Sequence, residues 1–193
     1  MADDPRNDPR WKRLHDRNWT CPCCGRAHNG LFDLSVDAPI YWKGPHEPLP
    51  NSELRSSATI LTQDFCVTEG EHFFIRCVLE LPIIGVPETR FGFGVWSSLS
   101  KKNFDLYVDS FDSGVQAHLG PWFSWFSNRL RDYPDTLNLK CQVHPRDDRM
   151  RPLIELEQTE HPLALEQQHG ITFDRVLELY AISGHDLRRA LTD

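Results

Sequence analysis

Hydrophobic and polar residues alternate through the middle of the chain, a pattern typical of strands with one buried face. The clearest case is residues 72–82, which follow the apolar segment 65–68 after a short Glu-Gly turn. These two segments predict a hairpin. Further strands are expected at residues 91–99 and in the aromatic run at 122–126.

A second hairpin is predicted between residues 136–143 and 153–158, which flank a loop rich in Arg and Asp. Matching their apolar positions places Val143 opposite Ile154 and sets Lys140 across from Glu157. Residues on the outward face of this pair are charged or polar. We therefore expect one face of the hairpin to lie against a core and the other to face solvent.

Helices are predicted where the apolar period changes from two to between three and four residues. Ser100 is a suitable N-cap for the first of them, Pro162 a suitable first residue for the second, and Thr172 a suitable N-cap for the third. Gly170 and Gly184 mark helix ends. The fold class expected is α+β, with an antiparallel sheet of five to six strands and helices packed on it.

The length of 193 residues suits one domain. Residues 1–18 carry many charges and two Asp-Pro pairs, so we expect a flexible charged N-terminal arm followed by a single α+β domain at 19–193. No apolar run is long enough to span a bilayer, and the first residues contain no apolar stretch typical of a secretory signal. The expected compartment is therefore the cytoplasm.

The charge balance is acidic, with 28 Asp and Glu against 21 Lys and Arg and a formal net charge of −7. Nucleic-acid binding requires clustered basic residues, so this class of partner is disfavoured. A basic protein partner is compatible with the charge.

The candidate chemistry begins with Cys21 and Cys24, which are separated by two residues and followed by Gly25. This spacing is typical of a zinc knuckle, a tight turn that directs two thiolates at one metal ion, and His28 adds a third possible ligand. A structural zinc ion takes four ligands, so one must come from elsewhere. The alternatives are a plain reduced turn and a redox-active pair, although no strand precedes Cys21 as redox motifs require.

The other cysteines differ in their positions along the predicted elements. Cys77 and Cys141 fall on inward faces of strands and are expected in the core, where cysteine behaves as a small apolar residue. Cys23 lies between the two knuckle cysteines and is interpreted as a bystander. Cys66 stands at the end of an element, just before a turn, and is the best-placed candidate for the fourth ligand.

An enzymatic interpretation starts from His144 and His161, which lie near Glu155 and Glu157 in sequence. Such groups act in acid-base or metal-assisted hydrolysis when they converge in a pocket. Both glutamates occupy the outward face of a predicted strand, which instead favours a solvated sheet surface with cross-strand pairs. No phosphate loop, Rossmann glycine pattern or nucleophile elbow is present.

Aromatic residues are concentrated near the predicted strands. They have two interpretations, a core or a binding groove. The core is favoured because bulky residues occupy both faces of the run at 121–127, as in a strand covered on both sides. The residues concerned are Trp96, Trp122, Phe123, Trp125 and Phe126.

The pattern as a whole resembles the bacterial family named domain of unknown function 2199, for which no activity is established. The resemblance covers roughly residues 19–180, outside the charged N-terminal arm and an inserted-looking loop at 44–50. It implies that Cys66, and not Cys77 or Cys141, accompanies Cys21, Cys24 and His28. The segments that carry it are Cys-x-x-Cys-Gly-x-x-His at 21–28 and residues 64–67, 72–76, 94–100, 133–137, 151–152 and 161–164.

The leading functional hypothesis is a cytoplasmic, non-catalytic protein-binding domain with a structural zinc ion held by Cys21, Cys24, His28 and Cys66. Zinc would attach the N-terminal segment to the sheet. Two alternatives belong to other classes. One is a small hydrolase that depends on a metal or on His and Glu side chains, and the other is an immunity-type inhibitor of a basic toxin.

Overall fold

A computed structural model describes residues 4–192. Within them the α+β fold class is confirmed, with eight strands and four α-helices joined by loops and short 3-10 turns. The strands are β1 Leu34–Ser35, β2 Ile60–Leu61, β3 Phe65–Thr68, β4 His72–Ile83, β5 Val86–Leu99, β6 Trp122–Trp125, β7 Lys140–His144 and β8 Leu153–Leu156; the helices are α1 Pro9–Leu14, α2 Lys101–Ser110, α3 Pro162–His169 and α4 Phe173–Ile182.

The sheet is mixed, so the prediction of an antiparallel sheet of five to six strands was wrong. Its main order is β1-β5-β4-β8-β7-β6, with β3 also paired to β4 and β2 paired to β3. Strand β8 runs parallel to β4, with Val78 opposite Leu153. Two strands, β1 and β2, have only two residues each, too few to show an alternating pattern in the sequence.

The hairpin of β7 and β8 has the register expected from its apolar positions. Val143 lies opposite Ile154, and Cys141 lies opposite Leu156. Beyond the strand end, the backbone N–H of Glu157 donates to the carbonyl of Lys140 at 2.8 Å, and their side chains form an exposed ion pair at 3.7 Å. The match confirms that inward-facing residues set this register.

The aromatic strand β6 alternates between buried and exposed side chains. Trp122 is buried, whereas Phe123 and Trp125 are 50 % and 40 % exposed. The expectation of a strand covered on both faces therefore fails for Phe123 and Trp125, while Trp96 and Phe126 are buried as expected. Next to β6, Phe126 forms an isolated bridge with Ser97 of β5.

Helix starts follow the predicted caps. The Ser100 side chain accepts a hydrogen bond from Asn103 N–H, and the Thr172 side chain accepts one from Arg175 N–H. Pro162 is the first residue of α3, and the His161 side chain accepts from Leu163 N–H. These contacts satisfy backbone donors that a helix start otherwise leaves unpaired. No helix within residues 4–192 has the length and apolar character needed to cross a bilayer.

The described chain divides into two compact units. The first comprises residues 4–34, 80–92 and 158–192, and the second comprises 35–79 and 93–157. In the first unit, α1 lies in the segment expected to be a flexible arm, of which residues 1–3 lie outside the described chain. Trp11 packs edge-on against Phe173 with ring centroids 5.1 Å apart, and Arg10 pairs with Asp174 at 2.8 Å.

The two Asp-Pro pairs of this segment begin helical turns. Asp4 accepts a hydrogen bond from Arg6 N–H before a 3-10 turn, and Asp8 accepts one from Arg10 N–H before α1. Proline suits the first helical position because its missing N–H would be unpaired there. In the second unit, a cluster of buried residues forms part of the core, namely Ala38, Leu61, Cys66, Phe74 and Trp96.

Gly170 ends α3 with φ +83° and ψ 169°, a conformation that is essentially restricted to glycine. A Cβ there would also lie 2.9 Å from the carbonyl oxygen of Pro82. We predict that Gly170→Ala lowers the free energy of unfolding by about 3 kcal/mol, measured by urea denaturation. Gly114→Ala, at φ +68° with its nearest contact at 3.8 Å, should cost only about 1–2 kcal/mol. Equal losses in the two variants would contradict this explanation.

Candidate metal centre

Residues 21–28 form a tight turn stabilised by its own backbone. Gly25 N–H donates to the carbonyl of Cys21 at 2.8 Å, and Cys21 N–H donates to the carbonyl of Arg26 at 2.9 Å. Gly25 has φ +69°, a conformation that glycine adopts without steric cost. No helix begins at Cys21, so the turn lacks the helix N-terminus that lowers thiol pKa in redox pairs.

A second histidine reaches this turn from the end of α4. Gly184 follows the helix with φ +93°, and its N–H donates to the carbonyl of Ala181 at 3.1 Å. The N–H of His185 then donates to the carbonyl of Tyr180 at 2.8 Å. This pair of bonds is the Schellman arrangement, which fixes the direction in which the chain leaves a helix. His185 is thereby held beside the cysteine turn.

Four side chains converge within the first unit and are called the metal centre below. Their ligand atoms all lie within 4.8 Å of one another. Cys24 Sγ lies 3.2 Å from His28 Nε2, and Cys21 Sγ lies 3.7 Å from His185 Nδ1. The members are Cys21, Cys24, His28 and His185.

These separations are close to those of a tetrahedral zinc site. With Zn–S about 2.3 Å and Zn–N about 2.05 Å, tetrahedral angles place S and N about 3.6 Å apart and two sulfurs about 3.8 Å apart. The two known S–N distances bracket the first value. Any pair as far apart as the 4.8 Å limit needs to close by about 1 Å, which small side-chain rotations supply.

Aromatic packing supports both imidazoles of the metal centre. The His28 ring stacks on Phe32 with centroids 3.8 Å apart, and the His185 ring lies edge-on to Phe32 at 5.3 Å. Phe32 in turn stacks on Tyr180 at 4.1 Å. The Tyr180 hydroxyl donates to the Phe32 carbonyl at 2.8 Å and accepts from Phe32 N–H at 2.7 Å. Tyr180 therefore fixes the residue against which both histidines pack.

The electrostatic environment favours a neutral His28. Burial lowers the pKa of His28 below its ordinary value, and the neighbouring His185 and Arg26 lower it further. Only the unprotonated imidazole nitrogen can coordinate a metal ion. The metal centre therefore holds His28 in the form needed for ligation.

The structure brings three of the four sequence-predicted ligands together and places His185 where Cys66 was expected. Cys66 lies on β3, is fully buried in the apolar cluster of the second unit, and is not a member of the metal centre. Burial raises the pKa of its thiol to about 12, so the thiolate needed for ligation is disfavoured. The sequence predicts a helix end at Gly184, and His185 is the next residue. A histidine directly after a predicted helix end is the signal that could have pointed to this ligand.

The remaining cysteines lie where the sequence predicts. Cys77 and Cys141 are buried, and burial raises the pKa of both thiols. Cys23 is exposed, with its sulfur 4.0 Å from the carbonyl of Asp186, and does not belong to the metal centre. All six cysteines are free thiols.

The residues of the hydrolase hypothesis lie on open surface or cap a helix. His144 Nε2 is 3.1 Å from a carboxylate oxygen of Glu155, whose side chain is 70 % exposed. Glu157 pairs with Lys140, and both side chains are 55 % exposed. His161 caps α3 through Nδ1. Glu155 of β8 and Glu157, just beyond the strand end, therefore pair with residues of β7 on a solvated face, as the outward-facing pattern predicts.

Comparison with protein-family models gives a match over most of the chain. Residues 20–171, well over half of the chain, match the family described as an uncharacterized protein conserved in bacteria (DUF2199). The chain belongs to this family. Within the DUF2199 match lie Cys21, Cys24, His28 and Cys66, whereas His185 lies beyond it. No curated protein and no solved structure matches the chain.

The burial of the thiols predicts which of them react in the folded protein. In metal-free protein at pH 8, we expect Cys23 and Cys24 to react rapidly with a disulfide reagent, because both are exposed. Cys66, Cys77 and Cys141 should react only after unfolding, because burial blocks access and raises their pKa. Added zinc should protect Cys24 but not Cys23.

Single variants assign the fast reactions in this assay. Cys23→Ser and Cys24→Ser should each remove one fast-reacting thiol, counted by absorbance and located by mass spectrometry. Rapid modification of Cys66 in the folded protein would contradict the assignment of that thiol to the core.

Proposed function

We propose that the protein is a non-catalytic DUF2199 domain whose metal centre binds one structural zinc ion and whose surface recognises another protein. The observation that carries the proposal is the convergence of two sulfur and two nitrogen donors within 4.8 Å. Thiolate and imidazole together are typical zinc ligands, whereas calcium and magnesium take oxygen donors.

The number of donors favours a structural role over a catalytic one. Catalytic zinc sites use three protein ligands and keep one position for water or substrate, whereas structural sites use four. The metal centre offers four side chains. With all four bound, no coordination position remains to activate water.

Zinc binding would join parts of the first unit that are distant in sequence. Cys21 and His185 are 164 residues apart, and one metal ion would tie the cysteine turn to the end of α4. A ligand that binds only the folded state stabilises it by the free energy of binding. The proposed role of zinc is therefore to hold the N-terminal and C-terminal segments of this unit together.

Metal analysis of protein purified without chelator tests the zinc proposal. We expect about one zinc ion per chain in the wild type, loss of that zinc in Cys21→Ser/Cys24→Ser, and marked loss in His185→Ala. EDTA should lower the melting temperature of the wild type but not that of the double mutant.

Two matched controls separate ligands from neighbours. Cys23→Ser lies in the same turn but outside the metal centre, and Cys66→Ala removes the ligand expected from the sequence; both should keep their zinc. Zinc lost from Cys66→Ala and retained in His185→Ala would overturn the ligand set. A zinc-free wild type with an EDTA-insensitive melting temperature would overturn the structural role.

The proposed recognition of another protein is supported by the charge of the chain. An acidic chain with a net charge of −7 favours a basic partner surface. Such an interaction weakens with ionic strength because salt screens exposed charges. We predict that host proteins retained on the immobilised zinc-loaded chain at low salt elute as salt rises; retention that is independent of salt would contradict an electrostatic interface.

A further inference from the structure

A surface cavity of about 390 Å³ lies within the second unit, and no residue of the metal centre lines it. It is bounded by the start of β4, the end of β5, the end of β6 and four residues outside the strands. Its size falls within the range of small-molecule sites. The residues used below are Tyr41, Glu71, Ser98, Trp125 and Asn138.

Two aromatic side chains with unusually high exposure line this cavity. Tyr41 is 42 % exposed and Trp125 is 40 % exposed. Tyr41 is supported from behind by stacking on the buried ring of Phe74 at 5.6 Å, and Trp125 is braced edge-on by Phe123 at 5.1 Å. Apolar rings held in place and open to solvent present surfaces on which a ligand can pack.

Polar groups beside these rings have hydrogen-bonding capacity that the described residues do not use. The Tyr41 hydroxyl donates to Asn138 Oδ1 at 3.0 Å, which leaves the NH₂ group of Asn138 as an unused donor. The Ser98 hydroxyl oxygen accepts from Trp125 N–H at 3.2 Å, so its own proton is also unused. The carboxylate of Glu71 has no side-chain or backbone donor within the described chain and remains an acceptor.

The charge of the lining narrows the chemistry of the ligand. None of the described lining residues is Lys or Arg, and Glu71 is their only carboxylate. A phosphate or carboxylate ligand would therefore meet repulsion from Glu71 without a Lys or Arg among the lining residues to compensate. A methylated ammonium group would pack on the rings but leave the donors of Ser98 and Asn138 without acceptors.

A neutral saccharide satisfies all three features. Each of its hydroxyl groups both donates and accepts, which matches the unused donors and the carboxylate acceptor. The C–H bonds on one face of a pyranose ring carry small positive charges and pack on the negative face of an indole ring. We propose that this cavity is a saccharide-binding site, in which the sugar ring packs on Trp125 and its hydroxyls bond to Asn138 and Glu71.

The proposal is tested by titrating the full chain with a panel of methyl glycosides and of α-linked and β-linked disaccharides. Binding is measured by calorimetry and by changes in NMR chemical shifts. Saturable binding of at least one sugar is expected. Trp125→Ala should weaken it at least about tenfold. Asn138→Asp, which keeps the acceptor for Tyr41 but removes the amide donors, should also weaken it.

Leu106→Ala is the control, because Leu106 is an exposed apolar residue of the same unit that does not line the cavity. It should change the affinity by less than about threefold if Trp125 contacts the sugar directly. Equal losses in Leu106→Ala and Trp125→Ala, or no saturable binding of any sugar, would overturn the proposal. Binding of adenosine or tetramethylammonium in place of sugars would overturn the ligand class.

Discussion

Tyr180 links helix α4 to the loop that follows the cysteine turn, and the geometry of the metal centre depends on this link. Its hydroxyl pairs with both backbone polar groups of Phe32, at 2.8 and 2.7 Å. Its ring stacks on the Phe32 ring, against which both histidines pack. Burial raises the pKa of Tyr180, so the hydroxyl stays protonated and able to donate. The imidazoles are thus positioned by protein contacts alone.

Tyr180 also lies in the last turn of α4. It therefore contacts both the loop that contains Phe32 and the residue that follows the helix end. Its carbonyl accepts the N–H of His185, while its side chain holds Phe32. One residue therefore sets the direction of His185 through its backbone and the place of His28 through its side chain. Preorganised ligands lose less conformational entropy on binding a metal, so this arrangement favours high affinity.

Local signals predicted much of the fold, and the errors arose where pairing is non-local. The register of Val143 with Ile154 follows from inward-facing residues in two adjacent segments. The parallel contact of Val78 with Leu153 has no comparable signal, because each strand carries the same alternation whichever neighbour it joins. The prediction that both faces of β6 are covered was wrong, because bulky residues on a strand face do not show that another element packs on them. Trp125 is such an uncovered residue.

The same difference between local and non-local signals explains which ligands of the candidate site the sequence predicts. Cys21, Cys24 and His28 lie within eight residues, so spacing alone identified them. His185 comes from 164 residues beyond Cys21, and it follows the DUF2199 match, which ends at residue 171. The DUF2199 match therefore spans three of the donors and ends before the fourth. Without His185 the other three ligands would leave an open coordination position and a different chemistry, so the proposed structural role depends on a donor that lies outside the family match.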